Sequence, residues 1–218
     1  MEFRLLYSGR VLGASRNNTR ADAKHALRRE FHPQLRQLWT RSKNLDEFAR
    51  HHCAPWFNKH PDQRTVASNT FTNEQFRQIG INCISENWQL GSYRFVPLVT
   101  EELSLRCHVD ILFLRPEDSR SVMNSGDLDA RVKTIFDALR IPNSNAETGG
   151  MEPQDDETPF FCLLSDDKLI SGVSVMCDEL LVLPKERTVN PSDAFLTIHV
   201  KIRPTERTPK APLAYLFD

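Results

Sequence analysis

The sequence predicts an α/β chain of the α+β type, with a mixed β-sheet and helices packed on one face. Two kinds of pattern predict it. Leu105, Cys107, Val109, Ile111 and Phe113 alternate with Arg106, His108, Asp110 and Leu112, and Leu196, Ile198, Val200 and Ile202 alternate with Thr197, His199 and Lys201. That period of two belongs to half-buried strands. Ala23, Leu27, Phe31, Leu35, Leu38 and Trp39, and later Leu128, Val132, Ile135, Phe136 and Leu139, recur at the spacing of a helix with one apolar face. A chain of 218 residues with 39% hydrophobic content carries enough apolar mass for a sizeable core. Residues 1–218 read as one domain with insertions at about 41–92 and 141–159.

Glu2 to Tyr7 predicts a first strand, followed by a turn-rich Ser15-Arg16-Asn17-Asn18. Thr19, three residues before Asp22, is placed to cap a helix that Pro33 either kinks or divides in two. Residues 41–92 are polar and read as irregular, with Pro55, Trp56 and Phe57 as anchors and a short helix at Asn73 to Ile79. Tyr93 to Val99 and Leu103 to Leu114 predict strands, Asp127 to Leu139 a helix, and 141–159 a loop. Short strands follow at Phe160 to Leu164, Leu169 to Met176 and Glu179 to Leu183, then a final strand at Ala194 to Ile202 and an arm after Pro204.

The formal net charge of −1, with 26% charged residues, points neither to disorder nor to a membrane protein. No apolar run approaches the roughly 20 residues of a spanning helix. MEFRLLYSGR has charge inside its apolar stretch and no small-residue cleavage site, so no signal peptide is read there. Cys53, Cys83, Cys107, Cys162 and Cys177 are odd in number, irregularly spaced and without a CxxC pair. Reduced thiols in a cytoplasmic protein are expected. His51, His52, Cys53 and His60 fit no closed zinc site, and no base partners Ser125 or Cys162 in a nucleophilic triad.

The chemistry concentrates in Gly126-Asp127-Leu128-Asp129-Ala130-Arg131-Val132-Lys133-Thr134-Ile135-Phe136-Asp137-Ala138-Leu139 and in Leu163-Leu164-Ser165-Asp166-Asp167. Two carboxylates two residues apart within one helix point about 200° away from each other. They converge only if Asp127 sits at or before the N-cap. One reading is architectural: Asp127 caps the helix, and Asp129, Lys133 and Asp137 form a ladder of ion pairs. The other is chemical. A helix start and a strand end that meet at one sheet edge would gather carboxylates that repel unless a cation neutralises them, and hard oxygen donors select Mg²⁺ or Mn²⁺.

Asp127-x-Asp129-x-x-x-Lys133, then Phe136-Asp137-Ala138-Leu139, then Asp166-Asp167 after an apolar strand, resembles the RusA-type Holliday junction resolvase family. The matched region runs over roughly 103–176. The resemblance implies a RusA-like fold, a homodimer, Mg²⁺ or Mn²⁺ as cofactor, and symmetric cleavage of branched DNA. It also implies Asp127, Asp129 and Asp167 as metal ligands with Asp166 beside them, and Lys133 at the scissile phosphate. Two departures stand out: Ala130 replaces the family's asparagine, and the segment Ile141 to Thr158 is long and carries the acidic Asp155-Asp156-Glu157. That segment reads as solvated surface, a gate or a partner-binding loop.

Arg20, Lys24, Arg28, His32 and Arg36 recur every four residues, with Arg16, Arg29 and Arg41 nearby. They form the best candidate surface for tracking phosphates, with Arg131 added from the helix of the acidic motif. Three functions follow: a metal-dependent endonuclease, a non-catalytic nucleic-acid- or partner-binding module on the same fold, and a structural subunit.

Overall fold

The computed structural model describes residues 1–13, 20–115, 127–181 and 193–205. The turn at Ser15 to Asn18, with Arg16, and the helix cap at Thr19 lie outside the described residues, as do 182–192 and the arm after Thr205. The chain is α+β, with two mixed sheets. The larger has the order β1-β7-β4-β6, from β1 (Glu2–Arg10), β4 (Leu105–Arg115), β6 (Ile170–Glu179) and β7 (Asp193–Pro204). β7 runs antiparallel to both β1 and β4, while β6 runs parallel to β4. The smaller joins β2 (Gln89–Leu90), β3 (Tyr93–Val99) and β5 (Phe160–Leu164), with β3 and β5 parallel.

Alternation in the sequence decides which face of the large sheet is inside. Every second residue of β4 from Leu105 to Phe113, and of β7 from Ala194 to Ile202, is buried. Their neighbours reach the opposite, open face. β3 and β5 are apolar nearly throughout and buried nearly throughout, as expected where both faces are covered. Against this sheet system packs α1 (Ala21–Arg41), whose Leu27, Phe31, Leu35 and Trp39 are each at most 2% exposed. α1 is one continuous helix through Pro33, which lies on its exposed side, so no second helix begins there.

Residues 41–92 are not irregular. They form α2 (Lys43–His51), α3 (Ala54–Lys59), α4 (Pro61–Thr70) and α5 (Asn73–Glu86). Their polarity hides this, because each helix needs only one narrow apolar stripe when it lies on the outside of a core. Leu45, Phe48 and Ala49 of α2 and Ile81 of α5 supply those stripes. Ser42 caps α2, and a full capping box of Thr72 and Gln75 opens α5. α5 therefore runs to Glu86, well beyond the expected Ile79. Gly80 lets α2 and α5 touch backbone to backbone, since a Cβ there would stand 1.7 Å from the Ala49 carbonyl oxygen.

The helix of the acidic motif, α6, spans Asp127–Leu139 as its pattern predicts. The two short strands expected at 169–183 are instead one strand, β6, over Ile170–Glu179, with 182–183 outside the described residues. All five cysteines are free. Gly80→Ala should cost about 1–3 kcal/mol through overpacking at the α2–α5 contact. Urea unfolding followed by circular dichroism measures it, and an unchanged midpoint would refute the close contact.

Candidate functional site

α6 and the turn that follows β5 come together at one end of the fold. The turn begins at the carboxyl ends of the parallel strands β3 and β5, where the Ser165 N–H donates to the Val99 carbonyl at 3.0 Å. It then makes a single 3-10 turn, Asp167–Leu169, whose buried Leu169 joins the same core as Ile135 of α6. Asp129 and Lys133 of α6 and Asp167 of the turn are all exposed. Asp166 is more committed: its carboxylate accepts from the Lys168 N–H at 2.9 Å and lies 4.0 Å from the Lys168 ammonium, which in turn sits 3.1 Å from Glu101. The Asp127 side chain lies outside the described residues. Among the described residues, no group of three Asp, Glu, His or Cys side chains is placed to hold a metal ion. The donors are chemically suited to a hard divalent cation, but the three described ones, Asp129, Asp166 and Asp167, do not by themselves form such a group.

The expected ladder Asp129–Lys133–Asp137 does not form. Eight residues along a helix advance the side chain by about 80° beyond two full turns. That rotation leaves Asp129 in solvent and carries Asp137 inside, where it is 4% exposed. There it pairs with Lys24 at 2.7 Å and Arg140 at 3.1 Å, both buried.

The basic stripe of α1 is corrected by the same packing. Lys24 is 7% exposed and Arg28 1%, so neither is available to a phosphate backbone. Arg28 donates to the carbonyls of Asp137 (2.7 Å) and Arg140 (3.1 Å), closing the C-terminus of α6 where carbonyls are left without helical partners. Arg131 is also buried, at 8%. Of the candidate nucleic-acid contacts, Arg20 and Arg36 remain exposed, each donating to a backbone carbonyl, of Gly13 and Asp156 respectively. Arg16 lies outside the described residues.

The acidic segment 141–159 is partly as expected: Asp155 and Asp156 are exposed, as a solvated surface requires, whereas Glu157 and Glu147 turn inward to meet Arg29 of α1 and Arg140 just beyond α6. Glu157 is buried, accepts a hydrogen bond from an Arg29 Nη at 3.0 Å and lies 2.7 Å from Arg29 Nε as an ion pair. Glu147 takes Arg140, and the Asp156 carbonyl accepts from His32 and Arg36.

Two buried histidines are fixed as neutral by their partners. Arg28 donates to His25 Nδ1, so His25 Nε2 carries the proton toward the Tyr93 hydroxyl, and Phe161 N–H donates to His32 Nδ1. Burial first, then the Arg28 and Arg29 charges, pushes His25 down to about 4, and burial lowers His32 as well. Burial also pushes the Cys107 and Cys162 thiols up to about 12, which leaves both as unreactive thiols at neutral pH.

One polar group leaves no mark in the sequence as a cluster. On the open face of the large sheet, Asp110 accepts from His108 at 2.8 Å and pairs with Lys201 at 2.8 Å, while Glu2 pairs with Arg203 at 2.8 Å and lies 3.3 Å from His199. Lys201, then His108, holds the Asp110 carboxyl below the usual carboxylate range. The period of two puts each residue on a polar face. Only the β1–β7–β4 register brings them together.

Asp137→Ala should cost about 3–5 kcal/mol by stranding buried Lys24 and Arg140. Urea unfolding measures it, and a loss below about 1 kcal/mol would show the pair is dispensable. Because an unfolded histidine takes a proton near pH 6.5 and folded His25 only near 4, stability should be full above about 6.5 and fall as pH drops toward 4. Thermal melts across this range should show a shallower slope for His25→Gln, and equal slopes would refute the assignment. In comparisons with known proteins, no family model, no curated protein and no solved structure matches this chain.

Proposed function

We propose that this protein is a metal-dependent endonuclease of branched or structured DNA on a RusA-like fold, holding Mg²⁺ or Mn²⁺ through Asp127, Asp129 and Asp167, with Asp166 alongside. The observation that carries the reading is a division of labour among charges. Around α6, Asp137, Arg140, Lys24 and Arg28 are buried and matched, whereas Asp129, Lys133 and Asp167 stay exposed where α6 meets the turn after β5. Exposed carboxylates of this kind supply hard oxygen donors, and Lys133, one turn along from Asp129, supplies a cation for a non-bridging phosphate oxygen. A bound divalent ion activates water and offsets charge developing on the phosphate. Arg20 and Arg36 are the exposed members of the α1 stripe that remain for backbone contacts. Homodimerisation and the four-way junction as substrate belong to the same proposal and rest on the motif resemblance. Among the described residues, no helix is long and apolar enough to cross a membrane.

Ala130 favours a second reading, a nucleic-acid-binding module with weak or no cleavage. It stands where the resembled motif has an amide able to orient a ligand or a phosphate. A labelled four-way junction with Mg²⁺ or Mn²⁺ separates the two. Symmetric nicks by the native protein, reduced at least about 100-fold in Asp129→Asn, are expected. Junction binding without nicks, with cleavage appearing in Ala130→Asn, would establish the second reading. Neither binding nor cleavage by any of the three would overturn both.

A further inference from the structure

The open face of the large sheet divides into two halves. Residues that the register pairs directly share a face. Arg106 therefore lies beside Arg203, Lys201 lies between His108 and Glu2, and His199 lies between Asp110 and Arg4. These three rows form a polar half. Beyond them the face turns apolar, with Leu6, Thr197, Leu112 and Met176 in one row.

The polar half holds four permanent cations, Arg4, Arg106, Lys201 and Arg203, against two carboxylates, Asp110 and Glu2. Both carboxylates are already matched: Lys201 takes Asp110 at 2.8 Å, and Arg203 takes Glu2 at 2.8 Å. Arg4 and Arg106 are the excess. Both are exposed, and neither makes an ion pair among the described residues.

Arg106 is also anchored at the candidate cleavage site. Its Nη1 donates at 2.8 Å to the Lys168 carbonyl, inside the 3-10 turn Asp167–Leu169 and one residue from Asp167. β4 and β6 both begin at this end of the sheet, where Cys107 pairs with Ile170. The turn that carries Asp167 and the polar half of the open face are thus continuous. Unmatched positive charge in contact with that turn calls for an anion, and its spread says which kind. Arg4 lies two strands across and four residues along from Arg106. Strand spacing and rise put their Cα atoms about 16 Å apart. No small anion bridges that span. A nucleic-acid strand, with one phosphate per roughly 3.4 Å of axis, reaches both within about five base steps.

We infer that the polar half of the open sheet face is a DNA-backbone surface: a duplex arm leaving the site at Asp129 and Asp167 crosses it, with Arg106 on a phosphate near the site and Arg4 on one about five base steps away. The inference rests on the nuclease reading for the identity of the polymer, and it gives the arm a path that the α1 stripe cannot supply, since Lys24 and Arg28 are buried. Arg10 provides an internal comparison. It is on the same strand and face as Arg4, exposed and without an ion pair among the described residues, but lies beyond the apolar row.

The test is binding of a labelled four-way junction to the native protein in EDTA, followed by fluorescence anisotropy from about 50 to about 200 mM salt. Arg4→Ala with Arg106→Ala should lower the slope of log K against log salt by about two, and weaken binding on the order of 10- to 100-fold at about 0.1 M salt. Arg4→Ala alone, which removes no contact within the described fold, should lower the slope by about one, so the effect does not depend on the turn that Arg106 holds. Arg10→Ala should leave the slope unchanged. A native slope in the double variant overturns the inference, as does a loss in Arg10→Ala equal to that in Arg4→Ala, which makes the effect one of net charge. Nicking is scored separately on the same junction with Mg²⁺. Nicking by the native protein, with a native slope in the double variant, overturns the path and leaves the nuclease reading standing. The expected slopes without nicking by the native protein support the surface and remove the nuclease. A native protein that neither binds nor nicks the junction overturns both.

Discussion

The carboxylate of Asp137 is the point on which the arrangement around α6 turns. It is buried, and a buried charge must be matched in place or it destabilises the fold by several kcal/mol. Its matches come from two directions: Lys24 from the first half of α1, and Arg140 from just beyond α6. Arg28, one turn along α1 from Lys24, closes the carbonyls at the same helix end. Glu147 then accepts from Arg140, which draws in the segment after α6, and Glu157 holds the far end of that segment to Arg29. α1, α6 and residues 141–159 are thus joined by short, directional contacts in a low-dielectric setting, where an unmatched partner is costly and a small rotation is not tolerated.

This constraint sets the rotation of α6 about its own axis. With Asp137 held inward, the drift of about 40° per four residues carries Lys133 and then Asp129 progressively toward solvent, where both are exposed. The same fact separates the two meanings mixed in the acidic motif. Asp137 belongs to the segment that carries the family resemblance, yet its contacts are architectural. Asp129 and Asp167 are exposed, with no comparable architectural contact to account for their presence at one end of the fold. The helical spacing that makes Asp129–Lys133–Asp137 look like one surface ladder holds for each step of four residues and fails over eight, because the drift of each step adds.

Legibility in the sequence follows the kind of burial. β4, β7 and α6 are readable because one face is core and the other is not, so periodicity reports the boundary directly. β3 and β5 are readable as apolar runs. The four helices of 41–92 are not, because a helix lying on the outside of a core needs few apolar residues. Leu45, Phe48 and Ala49 are too few to outweigh the surrounding charge in a sequence pattern. The basic stripe of α1 is visible as a stripe, but its environment is not. Regular spacing of Lys24, Arg28 and His32 states that they share a face, and says nothing about whether that face meets solvent or a matching set of acids. The acids are visible too, at Glu147 and Asp155-Asp156-Glu157, but charge complementarity between segments more than a hundred residues apart leaves no local signal.

The near-neutral charge of the chain takes on a different meaning once these matches are known. Much of the positive charge of α1 is spent internally against Asp137, Glu147 and Glu157, so the cations left for a polyanionic partner are fewer than composition suggests. A phosphate-binding surface then depends on particular exposed residues, Lys133 beside the carboxylates and Arg20 and Arg36 on α1, more than on a broad basic field. Under the nuclease proposal, a few placed contacts would discriminate the geometry of a branched substrate, where a uniform field binds any backbone. Two such sites on paired subunits would add a fixed spacing to that discrimination, since only a substrate presenting two strands at the matching separation engages both.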